Sequence, residues 1–156
     1  MARTQLISNL KNLTMITLVK KCLYAGNYPN NISLALLFLR VIAGIFMLTH
    51  GYPKFLKLLD GGPVQFADPI GIGETASLIL AVFGEFLCSI LLIFGAATRF
   101  SALSLLITML VAGLIVHAPD AFRIKEMSLL YASIFMAILI AGAGKYSVDN
   151  WLVKRK

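Results

Sequence analysis

The sequence predicts an all-α integral membrane protein built as a four-helix bundle. Three observations carry that expectation. The apolar fraction is 59%, above the roughly 45–50% of a soluble domain, and a soluble chain of 156 residues could not bury so much apolar surface. The excess sits in four continuous runs, near 32–50, 75–94, 100–116 and 127–143. Each is close to the roughly 17–25 residues that cross a hydrocarbon core, and none shows the segments of about ten alternating residues of a membrane barrel.

The first run, LALLFLRVIAGIFMLTHGYPK (34–54), carries Arg40 near its middle. Gly51 and Pro53 are turn residues, so the helix is expected to end near His50. The linker from there to about Glu74 contains GYP, DGGP and DPIGIG. A connection of about 24 residues is long enough to be functional or re-entrant. GAATR (95–99) makes a tight turn between the second and third runs, and HAPD follows the third. The tail, GAGKYSVDNWLVKRK, ends on Trp151 and three basic residues, an aromatic and cationic anchor for one interface.

Residues 1–30 form a basic segment ahead of the four-helix domain at 31–156. It holds Arg3, Lys11, Lys20 and Lys21 and no acid. Leu6, Leu10 and Leu13 share one helical face, which predicts a short amphipathic helix lying on the membrane. LTMITLV is too short and too polar for a signal-peptide core. A transit peptide has a similar composition and stays open as the alternative.

The net charge of +7 does not signal nucleic-acid binding, because the basic residues flank the apolar runs. Their partner is the lipid bilayer. With four spans both termini lie on one side, together with the 95–99 turn. That side holds nine Lys and Arg residues and the other holds four, so both termini are expected in the cytoplasm. Cys22 and Cys88 occur without CxxC or CxxCH. This excludes a cysteine-held iron–sulfur cluster or c-type haem on this chain alone, and no metal site is predicted.

A charge inside the membrane needs a partner. Counting from the expected outer ends of the first two spans, Arg40 and Glu85 both lie about 15 Å deep. They are expected to form a buried ion pair. Such a pair serves either as a proton or ligand site or as a clamp between two helices. Small residues recur every fourth position at Ser77, Ala81, Glu85 and Ser89, at Ser104, Thr108 and Ala112, and at Ser133, Ala137 and Ala141. These stripes are expected to face the bundle.

The outer helix ends collect His50, Lys54, His117 and Glu126. Each could be an interface residue in contact with water. Together with Glu85 they form a candidate ligand or proton site. Two histidines could ligate a haem, but both lie at helix ends, too near water for the usual haem pocket. A quinone suits the edge of the apolar layer better, since it needs a hydrogen-bond donor and a proton-exchanging group there.

The order R-x3-G, H-G-x-x-K, G-E, G-x-x-T-R, E-x-S-L-L and G-A-G-K-Y-S-V-D resembles the DoxX family of small bacterial membrane proteins. The residues are Arg40, Gly44, His50, Gly51, Lys54, Gly84, Glu85, Gly95, Thr98, Arg99, Glu126, Gly142, Gly144, Ser147 and Asp149. The resemblance covers about 34–150. It implies a four-helix protein of the bacterial inner membrane. Relatives include a subunit of an archaeal thiosulfate:quinone oxidoreductase and membrane partners of redox-defence enzymes. The function it implies is a membrane subunit or anchor of a quinone-linked redox system, without a redox centre of its own and with a soluble or membrane partner protein. The alternative is a non-enzymatic assembly or small-molecule-binding module. A small proton-coupled transporter ranks last, because no inverted repeat is evident.

Overall fold

A computed structural model of the chain describes residues 25–155. The expected amphipathic helix lies outside them. The described residues form α1 (Asn30–Leu59), α2 (Glu74–Phe94), α3 (Thr98–Val116), α4 (Phe122–Ala141) and a short α5 (Val148–Lys154). The first four are long and apolar enough to cross a membrane, and no strand occurs among the described residues.

α1 does not stop at His50. It continues through Gly51 and Pro53 for nine further residues, to Leu59. Pro53 removes one intrahelical N–H, but KFLKLL after it favours helix. Gly51 is there for contact and not for a turn. A Cβ at Gly51 would stand 2.5 Å from the main-chain carbonyl of Glu85 on α2. A Cβ at Gly44, two turns earlier, would stand 2.5 Å from the Ile93 side chain and 3.2 Å from the Ser89 carbonyl. The two glycines let α1 and α2 approach backbone to backbone, as small residues do between membrane helices. The linker is correspondingly shorter than expected and spans 60–73.

Neither α2 nor α3 is a uniform α-helix. α2 passes through a π-helical segment at Phe83–Cys88, and α3 ends in one at Ala112–Val116. Between them, Gly84 packs directly on the Thr108 side chain. The part of α2 before this contact packs mainly on α1, which leaves a gap between α2 and α3 under the linker. Met47, Cys88, Leu92, Leu105, Phe135 and Ile138 fill the bundle core.

One of the three expected stripes points the other way. On α4 the buried residues are Ala132, Phe135 and Ile138, while Ser133 and Ala137 are exposed. Phe135 and Ile138, three residues apart on one face, fill the core that small residues would have left open.

The end of the bundle holding the 95–97 turn is closed by polar contacts. Gly95 (φ 68°) and Ala97 (φ 45°) both adopt left-handed backbone. Asp149, at the start of α5, accepts hydrogen bonds from the Ala97 and Thr98 N–H groups, both at 2.8 Å. It thereby caps α3 from another element. The Asp149 N–H in turn donates to the Gly95 carbonyl at 3.0 Å.

Candidate functional site

The structure does not pair Arg40 with Glu85. Arg40 is fully buried, and its guanidinium donates to the carbonyl of Leu92 at 3.3 Å and to that of Tyr146 at 2.7 Å. It belongs to the turn end, beside Gly95 and near the Asp149 carboxylate. The expected pairing fails because α1 is longer than expected. Nineteen residues separate Arg40 from the end of α1 at Leu59, so it lies about 28 Å from that end rather than 15 Å.

The partner of Glu85 is Lys54, fourteen residues further along the same face of α1 as Arg40. The Lys54 ammonium contacts both Glu85 oxygens. The carboxylate side chain is 4% exposed and the lysine 29%. Glu85 lies in the π segment of α2, with Gly51 against its carbonyl on one side and Gly84 against Thr108 on the other. A stacked Phe55–Phe86 pair, centroids 4.4 Å apart, braces α1 to α2 beside it. Lys54, expected in the candidate site, thus takes the place expected of Arg40 as the partner of Glu85.

Two cavities meet at this pair. One, of about 240 Å³, lies among α1, α3 and α4 and is lined by His50, His117, Tyr131 and Ser128, with methionines between them. The other, of about 330 Å³, lies between α2 and α3 under the linker and is walled mainly by apolar side chains, with Ser77 and Thr108 among them. Lys54, Glu85, Ala112 and His117 border both. Four of the expected site residues, His50, Lys54, Glu85 and His117, are thus brought together. Glu126 is not. It is exposed at the start of α4 and lines neither cavity. The first turns of α4 direct Ile124, Met127 and Ser128 toward the cavity instead. His117 Nδ1 lies 2.8 Å from Asp120 Oδ2, and both side chains are more than a third exposed. Among the described residues, no group of three or more His, Cys, Asp and Glu is placed to hold a metal.

The DoxX family profile matches residues 35–118, which run from α1 through the end of α3 and include Lys54, Glu85 and His117. The chain belongs to the DoxX family. An uncharacterised protein of Haemophilus influenzae is 31% identical over 130 residues, covering 77% of this chain and 92% of that protein. A Bacillus subtilis protein named "Putative oxidoreductase CatD" is 30% identical over 123 residues, covering 77% of this chain and 88% of that protein. No solved structure matches.

In this DoxX protein the linker is held by its own carboxylates. Asp68 accepts from the Ser77 hydroxyl at 2.8 Å and from the Gly73 and Ile72 N–H groups at 2.8 and 3.0 Å. Glu74 accepts from the Phe66 N–H at 3.3 Å. The Ser77 hydroxyl, then the backbone N–H groups, hold the Asp68 carboxyl below its ordinary range. A depressed carboxylate contributes order that is fully present above the unfolded value, near 3.9, and is lost as pH falls through the lower folded value. The linker should therefore resist proteolysis between Phe66 and Gly73 down to about pH 4. Asp68→Ala should open it at neutral pH. Equal cleavage of wild type and variant at pH 7 would remove Asp68 from this role.

Proposed function

We propose that this DoxX protein is a membrane subunit of a quinone-linked redox system, and that the Lys54–Glu85 pair with His50 and His117 forms its head-group site. The observation that supports this most is one acid–base pair, its carboxylate buried, bordering both a polar and an apolar cavity. That combination suits a ligand with a polar ring and an apolar tail. A quinone, when bound, takes up two electrons and two protons, and the electrons come from a partner protein. The residues here fit what remains. The Lys54 ammonium donates a hydrogen bond toward a ring oxygen. Glu85 holds that ammonium in place and is within reach of a transferred proton. His50 is exposed at the mouth, between the pair and water. Tyr131, edge-on to His50 at 6.5 Å between centroids, forms the opposite wall.

Binding should be measured on protein in nanodiscs titrated with a water-soluble short-chain quinone. Saturable binding is expected, weakened by Lys54→Met and by His50→Ala. Identical weak partitioning for all three proteins would defeat the reading.

We further propose a bacterial inner-membrane location with both termini in the cytoplasm, supported by the nine-to-four distribution of basic residues. In whole cells, a cysteine introduced by Gly62→Cys, in a background lacking Cys22 and Cys88, should react with an impermeant thiol reagent. One introduced by Ala97→Cys should not. The reverse pattern inverts the topology.

A further inference from the structure

We infer that the apolar cavity between α2 and α3 receives a single hydrocarbon chain from the bilayer, with the chain's polar head stopping at Lys54 and Glu85.

The cavity is a built site with three distinct sides. Its floor is the contact of Gly84 with Thr108, where α2 and α3 come together. Its roof is the linker, which contributes Phe66, Pro69 and Ile70 and is pinned by Asp68 and Glu74. Its side is open. Leu80 on α2 and Ile107 on α3 both line it, yet they are 51% and 54% exposed. On a membrane-spanning pair of helices that exposure faces lipid, so the opening is lateral.

The distribution of polarity gives the ligand its orientation. Leu80, Ala81, Ile107 and Val111 form the walls, and the charged or ionisable groups bordering the cavity, Lys54, Glu85 and His117, are those it shares with the polar cavity. Along Leu80, Ala81, Ile107 and Val111 an ordered water would lack the two to four polar partners it needs. A hydrocarbon chain does, because the walls offer dispersion contact along its length. At about 330 Å³ the space is at the lower end of ordinary ligand sites, roughly 300–1,000 Å³, and takes one chain segment. Two sources share this chemistry, the isoprenoid tail of a quinone and the acyl chain of a phospholipid. The inference shares its inner end with the proposed head-group site but does not depend on the head being a quinone.

The test is photo-crosslinking in nanodiscs, with two probes used separately. One is a quinone with a diazirine in its isoprenoid tail, and the other is a phosphatidylethanolamine with a diazirine in one acyl chain. Labelled residues are read by peptide mass spectrometry. The expected result is labelling within 66–70 and 107–111, lost in Val111→Phe, which fills the cavity. Labelling at Phe100, on the outer surface, should stay. Ala81→Leu is the second filling variant if Val111→Phe lowers the yield of folded protein. Cavity labelling by the lipid probe alone supports the inference and counts against the quinone reading. Saturable short-chain quinone binding with no cavity labelling by either probe overturns the inference and leaves the quinone reading standing. Labelling that is unchanged by both filling variants also overturns it.

Discussion

Lys54→Met is expected to destabilise the protein by about 3–5 kcal/mol, the usual cost of removing one partner from a buried ion pair. The loss should fall toward the lower end, because the lysine side chain is 29% exposed while the carboxylate is 4% exposed. The Glu85 carboxylate is left with no other cation in contact among the described residues. The double variant Lys54→Met with Glu85→Gln should recover most of the loss, since an uncharged pair of similar volume carries no orphaned charge. Thermal unfolding in one detergent, with all three variants side by side, measures this. A double variant as unstable as Lys54→Met would mean that the pair is not what makes these charges tolerable.

Asp149→Ala is expected to have an effect of the same order at the opposite end. It removes the acceptor of the buried Thr98 N–H, at about 1–3 kcal/mol when left unsatisfied, and of the part-buried Ala97 N–H. It also leaves Arg40 without its neighbouring carboxylate. Because Ala97 holds a left-handed backbone of φ 45°, the turn before α3 should relax and α5 should detach. Hydrogen exchange at Thr98 should accelerate together with exchange in Val148–Lys154. Faster exchange at Thr98 with α5 still protected would show that the cap and the docking of α5 are separate.

The four spans were legible because they rest on hydrophobic run length, a signal that one turn residue does not erase. The end of α1 was not. Gly51 and Pro53 carry the same letters in a turn and in a close helix crossing, and only the Glu85 carbonyl lying against Gly51 separates the two. That misplacement propagated into the pairing of Arg40, since depth is counted from a helix end. The site residues were partly legible. His50, Lys54, Glu85 and His117 converge as ionisable groups at one end of the apolar layer, whereas Glu126, chosen on the same ground, is turned outward by the phase of α4. Phase cannot be read without a packing partner.

The π segment of α2 decides which way its stripe of small residues faces. Steps of four along an α-helix drift by about 40° each, so a stripe at 77, 81, 85 and 89 should wander off its face. Ser77, Glu85 and Ser89 are nevertheless all buried, because the wider π turn takes the drift back. The same spacing on α4, which is α-helical throughout, does not stay inside, and Ser133 and Ala137 are exposed.

That wider turn makes α2 tolerant of a change in residue count. A π turn is an α-helical path carrying one surplus residue, and the turn widens to absorb the step of about 100° that residue would otherwise add. Deleting the exposed Leu87 would let the segment close to α-geometry and leave both flanking halves of α2 facing as before. Ser77, Leu78 and Leu92 would stay inside, and only the residues within the segment, Glu85 among them, would be rephased. A one-residue deletion at 83–88 is therefore expected to spare the packing of α2 and to fall on the Lys54–Glu85 contact.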